Sequence, residues 1–444
     1  MAGIKFLGAS GGVTGSGYLL TGNDGGELLI DYGIFQGSEE LEKLNFAPLA
    51  FDPGRIKAVI LTHAHLDHCG RLPVLLPQGY RGQIYMTEPT QKITAVSLAD
   101  AAAIAQENTD KQPLFTKDDV DRLLDRAQIV AYDQPLTIGE FAINFKNAGH
   151  ILGSASIEIQ FADRKLVFSG DLGNTPEDLI QPTESISAAD WVVIESTYGN
   201  SVHPEENVQD VLTGEISRIR NTGGVLIIPA FSIERTQEIL HLLSHISQNR
   251  QLPPDMPVYL DSPMAIQVTA IFKAYPNLYN PELTGDRHPF DFPNLILTKG
   301  SEDSKKILDR HGPKIIIAGS GMMSGGRILH HLKNYLSDPA TRILIVGFQA
   351  PGTLGRELEN GVSEVSIYKE ILPVHAHITK LESMSSHADQ PRLINWLKNI
   401  HSVRQVFITH GENPQRQGLS EKIKSDTSVS EITLPLLYET HNLN

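Results

Sequence analysis

The amino-acid sequence predicts an α/β protein in two architectural parts, and three observations carry that prediction. Short apolar or alternating runs crowd the first half, each bounded by Gly-rich or polar turns. After about Pro204, compact apolar runs alternate with helix-like segments, the pattern of a doubly wound parallel sheet. One early run, Ala58-Val-Ile-Leu61, leads straight into His63-Ala-His65-Leu66-Asp67-His68, a dense set of metal-ligand side chains. At 444 residues the chain also exceeds one ordinary domain.

In order along the chain, residues 3–7, 18–20, 28–30 and 57–61 read as strands. Residues 90–108 are Ala-rich and read as a helix, as do residues 117–127 with Thr116 as the cap. Strands return at 141–145, 155–161, 165–169 and 191–195. Beyond Pro204, residues 225–228, 258–260, 315–318 and 342–346 suit central parallel strands. The segments 235–247, 265–274 and 328–336 suit the helices between them. The last stretch, 365–434, reads as short strands again. No internal repeat and no low-complexity linker interrupts this order.

Composition bounds the rest. Forty per cent hydrophobic and 20% charged residues are ordinary for a globular protein. No apolar run nears the roughly 18 residues that would span a bilayer, and the amino terminus resembles neither a signal nor a transit peptide. Cys69 is the only cysteine, which fits a reducing compartment, so a cytoplasmic protein without membrane contact is expected. The net charge of −15 repels polyanions on average. Between Lys299 and Arg356, however, nine Lys or Arg face four Asp or Glu. That stretch is either a solvated helix face or a phosphate-binding surface.

Residues two apart in extended chain point the same way, so His63 and His65 can converge on one ion. Asp67 and His68 enter the next element and can face a second. Imidazole and carboxylate together suit zinc. A His-rich polar loop is the plainer alternative, in a chain with 17 His. Two further segments add donors. Gly149 permits an unusual backbone beside His150, and Asp171 follows a strand and a Gly. Alone, each is an ordinary turn residue. Together, His63, His65, His150 and Asp171 complete one ion, while Asp67, His68 and Asp171 leave a second one ligand short. His410, at the end of the apolar run 406–408, stands above His387, His401 and His441 as the missing donor.

In this order the string His63–His68, His150, Asp171 and His410 resembles the metallo-β-lactamase fold, and specifically its β-CASP branch. Ile194-Glu195-Ser-Thr-Tyr198-Gly199 resembles the first extra motif of that branch, Ser385-Ser-His387-Ala-Asp389 the second, and Thr409-His410-Gly-Glu412 the third. The resemblance covers nearly the whole chain and is closest to bacterial and archaeal nucleases similar to the nuclease subunit of the cleavage and polyadenylation machinery. It implies a metallo-β-lactamase αββα sandwich, residues 1–205 and 361–444, interrupted by a doubly wound β-CASP domain at 206–360. It leaves no room for amino-terminal RNA-binding modules or for a long carboxyl-terminal domain.

The resemblance further implies a ribonuclease with two zinc ions per chain, bridged by Asp171. Catalysis falls to His387 as general acid, to Glu195 as the group that holds it, and to Asp67, which is also a ligand. Asp31 is expected to orient a ligand imidazole. His410 at the third motif marks members that act on RNA, so a DNA repair nuclease is disfavoured. Phosphates of the RNA are expected on loops carrying Ser232, Arg235, Ser262, Ser320, Ser324, Arg327 and Arg356. The same loops read equally well as tight Gly-rich βα turns. Single-stranded RNA is the expected partner, threading into a cleft between the two domains, with a homodimer left open. Endonucleolytic and 5′-exonucleolytic cleavage are both compatible. The alternatives are a non-catalytic scaffold subunit of an RNA-processing complex, which would have lost ligands, and a small-molecule hydrolase, which would not need the insertion.

Overall fold

The computed structural model describes residues 2–107, 112–174, 179–283, 288–350 and 352–443, so Asn108 at the end of the first expected helix lies outside the described residues. The strands, in chain order, begin with β1 (Gly3–Phe6), β2 (Gly17–Thr21), β3 (Glu27–Tyr32), β4 (Ile56–Ile60), β5 (Gln83–Met86) and β6 (Ala127–Ile129). They continue with β7 (Leu136–Ile138), β8 (Phe141–Asn147), β9 (Ala155–Phe161), β10 (Arg164–Phe168) and β11 (Trp191–Ile194). Next come β12 (Val225–Pro229), β13 (Val258–Asp261), β14 (Leu295–Leu297), β15 (Lys314–Ala318), β16 (Arg342–Ile345), β17 (Glu364–Ile367), β18 (Glu370–Pro373) and β19 (His377–Lys380). The series ends with β20 (Gln405–Ile408), β21 (Glu431–Thr433) and β22 (Thr440–Asn442).

The chain forms two compact units, Met1–Val202 with Ser386–Asn444, and His203–Ser385. In the first, two mixed sheets run β22-β1-β2-β3-β4-β5-β6 and β21-β20-β11-β10-β9-β8-β7. Period-two alternation decides how they pack. Ile4, Phe6, Leu20, Ile30 and Ile60 of one sheet meet Ile157, Ile159, Phe168, Val193 and Phe407 of the other in a single apolar core. The opposite face of the first sheet, including Leu29, Val59, Leu61 and Ile84, packs on Leu98 and Ala102 of helix Glu88–Glu107 and on Val120 and Leu123 of helix Lys117–Leu124. The second sheet turns Val167, Ile194, Val406 and Ile408 onto helices Gln390–Lys398 and Asn413–Asp426. Fully burying each such side chain is worth about 1.5–3 kcal/mol, so both faces of both sheets are claimed and the result is αββα.

The second unit carries a six-stranded sheet, β14-β13-β15-β12-β16-β19, in which every pairing is parallel. Val225, Ile227, Ile316, Ile343 and Ile345 face the helical residues Ile307, Ile328, Leu332 and Leu358. Their alternates Leu226, Ile228, Ile315 and Ile317 are equally buried, so both faces are covered, as in a doubly wound sheet. The compact unit runs on past the expected boundary at residue 360. The hairpin β17–β18 follows, and β19 pairs in register with β16, which carries the unit to Ser385. Two smaller expectations also change. The helix from Lys117 stops at Leu124, because Ala127 already pairs with Ile84 in β6. The carboxyl-terminal stretch holds two helices among its short strands.

Candidate active site

Three strand ends and one loop of the first unit gather the metal-ligand side chains. His63 to His68 follow β4, Asp171 follows β10, His410 follows β20, and His150 sits in the loop between β8 and β9. Two imidazole-rich donor sets result, His63, His65, His150 and Asp171, and Asp67, His68 and His410, and a third group joins Asp171 to Glu195 and His387. Asp171 joins them. Its Oδ2 lies 3.4 Å from His63 Nε2, 3.4 Å from His68 Nε2 and 3.7 Å from His150 Nε2, and its Oδ1 lies 3.6 Å from His410 Nδ1. Gly149, at φ 64°, lets the chain turn His150 into this space.

The hydrogen bonds behind the rings fix which nitrogen faces inward. Asp31 accepts from Thr62 N and Thr62 Oγ1, each at 2.8 Å, and from His68 Nδ1 at 2.7 Å. The one hydroxyl hydrogen of Thr62 is therefore spent on Asp31, so His63 Nδ1, 3.0 Å away, must be the donor to Thr62 Oγ1. His150 Nδ1 donates to Ser386 O at 3.0 Å. Thr197 Oγ1 donates to His410 O, so His410 Nδ1 donates to Thr197 Oγ1 at 3.0 Å. In three of the rings the Nε2 lone pair is then turned toward a carboxylate: His63 and His68 face Asp171, and His410 faces Asp67 Oδ2 at 3.2 Å, while His150 Nε2 lies 3.2 Å from His65 Nδ1.

Acceptor facing acceptor at such distances is repulsive unless a cation lies between them. Two ligands of a tetrahedral zinc, each about 2.0–2.1 Å from it, stand about 3.4 Å apart, close to the separations found here. His63 Nε2 and Asp171 Oδ1 are buried and have no hydrogen-bond partner among the described residues. The donor set therefore fits divalent metal. Electrostatics agree. Burial, with help from His68, pushes His63 down to about 3, and burial takes His65 down to about 4, so both rings are neutral. Burial opposes ionisation of Asp171, but His410 and His68 outweigh it and hold the carboxyl well below its ordinary range. Burial also opposes a charged His68, yet Asp171 and Asp31 outweigh it and raise His68 well above the ordinary value: this acidic corner demands positive charge.

Beside Asp171 stands His387. Its Nδ1 donates to Glu195 Oε1 at 3.3 Å and lies 3.9 Å from Asp171 Oδ2. Glu195 is itself pinned, accepting from Leu172 N at 2.7 Å and Thr197 N at 3.2 Å. Burial opposes a charged ring here too, but Glu195 and Asp171 prevail and push His387 up to about 9. Every expected ligand, with Asp31, Glu195 and His387, is thus in one site. Sequence reasoning missed Ser16, whose hydroxyl lies 3.3 Å from His68 Nε2, and the anchoring roles of Thr197 and the Ser386 carbonyl.

The expected phosphate-binding residues fare differently, all within the second unit. Ser232 and Ser262 lie hydroxyl to hydroxyl at 3.2 Å, and Ser320 Oγ accepts from Ser324 N at 3.1 Å. All three arginines make internal pairings. Arg235 is buried and ion-paired with Glu238. Arg327 donates to Asp261 Oδ1 at 2.7 Å and to the carbonyls of Thr298 and Lys299, each at 3.0 Å. Arg356 donates to the Gln349 carbonyl and approaches Glu359 at 3.7 Å.

With this geometry the family relationships are coherent. The model of the metallo-beta-lactamase superfamily matches residues 10–192, that of the Beta-Casp domain residues 236–358, and that of the Zn-dependent metallo-hydrolase RNA specificity domain residues 371–435. The chain belongs to the β-CASP family of the metallo-β-lactamase superfamily. It is 38% identical to Ribonuclease TTHA0252 of Thermus thermophilus over 94% of either chain. It is 32% identical to the RNase J-like protein of Methanocaldococcus jannaschii over 88% of either chain. It is 29% identical to RNase aCSPSF2 of Saccharolobus solfataricus over 97% of this chain and 83% of the relative. A crystal structure of a protein of unknown function from Enterococcus faecalis matches the whole of both chains with a TM-score of 0.57 at 12% identity, a likeness of fold alone. No helix among the described residues is long and apolar enough to cross a membrane.

Proposed function

We propose that this chain is a zinc-dependent ribonuclease that holds two zinc ions and hydrolyses phosphodiester bonds in single-stranded RNA, as an endonuclease, a 5′-3′ exonuclease or both. One observation carries the reading: two imidazole–carboxylate sets share Asp171, with the His387–Glu195 pair beside it. Ribonuclease names among relatives that span nearly the whole chain support RNA as substrate.

His63, His65, His150 and Asp171 would hold one ion, and Asp67, His68, His410 and Asp171 the other. Bound there, the ions would lower the pKa of an attacking water and offset charge on the phosphate oxygens. The residues do the rest. Asp31, Thr62, Thr197 and the Ser386 carbonyl hold each ring in the tautomer that offers Nε2. Glu195 turns His387 by its Nδ1 and keeps it protonated at neutral pH, so the proton on Nε2 is the one it would give to the departing 3′-oxygen. The site lacks none of the expected ligands, which argues against a scaffold subunit.

The deciding assay uses single-stranded RNA and DNA of one sequence, labelled at either end, with and without chelator. Chelator-sensitive cleavage of RNA well ahead of DNA is expected, and the two labels separate internal cuts from 5′-end trimming. Equal rates on both nucleic acids would remove the RNA assignment.

A further inference from the structure

Beyond the ligands themselves, the structure points to a residue that governs one of the two donor sets. We propose that Arg71 is a positioning residue that sets the affinity of the Asp67–His68–His410 set while leaving the His63–His65–His150 set alone. The inference rests on the two-ion reading above.

Arg71 is buried, and among the described residues no carboxylate lies within ion-pair distance of it. Its guanidinium carbon stacks 4.0 Å from the centre of the Tyr32 ring and 4.4 Å from that of Phe35. Nε donates to the carbonyl of Gly33, and Nη2 donates to that of Gly15 at 3.2 Å. A buried cation that spends its fork on two backbone carbonyls is costly, so the two segments it joins must gain by being joined.

Those segments cradle Asp67 and His68. Ser16, next to Gly15, donates its N–H to Asp67 O at 2.8 Å and accepts from Gly33 N at 2.7 Å. The Ser16 hydroxyl lies 3.3 Å from His68 Nε2, the atom that faces Asp171. Ile34 N donates to Leu66 O at 2.8 Å, one residue before Asp67. The fit leaves no slack: a Cβ on Gly33 would fall 1.6 Å from Asp67 O. Through these bonds the guanidinium fork fixes the height and tilt at which Asp67 and His68 leave the helix Leu66–Cys69. His63 is anchored through Thr62, and His150 through Ser386, and neither anchor runs through Arg71.

The test is a Zn²⁺ titration of metal-depleted full-length protein against a chromophoric chelator, with thermal melting followed in parallel. Wild type should bind in two steps. Arg71→Lys keeps a cation between the two rings without the fork and should fold. It should weaken one step about 10- to 100-fold, the range for loss of a group that orients a ligand, and leave the other at its wild-type affinity. The weakened step should be the one that Asp67→Ala abolishes. Two unchanged steps, equal weakening of both, or weakening of the step that Asp67→Ala spares would each overturn the proposal. A single step in wild type would remove the two-ion reading and this inference with it.

Discussion

The strand ends of the two units are built from the same residue types and do opposite things with them. In the first unit, the acids and imidazoles after β4, β10 and β20 turn lone pairs toward one another and leave His63 Nε2 and Asp171 Oδ1 without hydrogen-bond partners among the described residues. In the second, Asp261 at the end of β13 receives Thr298 Oγ1 at 2.8 Å, Ser304 Oγ at 2.5 Å, Arg327 Nη1 at 2.7 Å and His331 Nε2 at 2.7 Å. One cluster sets acceptors against acceptors and calls for a cation, whereas in the other each of the four contacts pairs a donor with the Asp261 carboxylate. Buried polar groups left unsatisfied cost folding energy, so their persistence marks a site held for a ligand. A saturated network instead locks helices and loops around a strand end.

The largest expected effect breaks the incomplete cluster. His63→Ala should lower RNA cleavage about 10⁴-fold and remove one metal ion, since the lost transition-state stabilisation is several kcal/mol. Metal analysis and turnover together check it, and full metal content in this variant would sink the ligand assignment. His387→Ala should reduce kcat about 10²- to 10⁴-fold with metal content unchanged. The pH profile sharpens this. Glu195 and Asp171 hold the His387 proton up to about 9 against the effect of burial, so activity that needs this proton falls as pH rises through the group's pKa. Without the Glu195 charge the proton leaves more readily, and Glu195→Gln should move the alkaline limb to lower pH by about 1–3 pH units. An unmoved limb would take the general-acid role from His387.

Why one cluster is legible in the sequence and the other is not follows from the same contrast. His63, His65, Asp67 and His68 are local, and a strand that ends in ligand residues is visible as a string. Asp171, His150 and His410 each follow a strand or sit beside a Gly, which singled them out. The groups that tune them left no trace. Thr62, Ser16, Thr197 and a Ser386 carbonyl act through single hydrogen bonds, and hydroxyls and carbonyls have no pattern of their own. Arg327 looked like a phosphate donor because its partner Asp261 is 66 residues away. The short strands β6, β7, β14 and β19 are three or four residues long, too few for a period. The register of β19 beside β16, which carries the compact unit on to Ser385, comes from tertiary pairing that composition does not announce.

A smaller effect is expected where the self-contained cluster is broken. Asp261→Asn strands the Arg327 and His331 donors around a neutral amide and should cost the second unit about 3–5 kcal/mol, with metal content unchanged. The sign of the acid dependence gives a second readout. Although burial opposes it, the four donors depress the Asp261 carboxyl from 3.8 to about 2. The stability it contributes is present at neutral pH and is lost as pH falls from near 3.8 through about 2. Denaturant unfolding of wild type should show this loss, and Asp261→Asn should lack it. Identical acid profiles would mean that Asp261 is not the group that responds.

The smallest effect concerns Arg327, and it separates the two fates of a strand-end charge most cleanly. If Arg327 gripped RNA, its removal would free one fewer counterion on binding, and the slope of log affinity against log salt would shrink by about 0.7 for a single strand. The structure instead engages both Nη atoms with Asp261, Thr298 and Lys299, which ties helix Arg327–Tyr335 to the end of β13. Arg327→Ala should therefore lower stability by about 1–3 kcal/mol through the donors lost to Asp261, and leave the salt slope as it was. RNA binding measured across a salt series on the folded variant, beside its unfolding curve, reads both quantities. A flattened slope with unchanged stability would return Arg327 to the phosphate-binding surface, because a residue that is only a cross-link cannot alter the number of ions released.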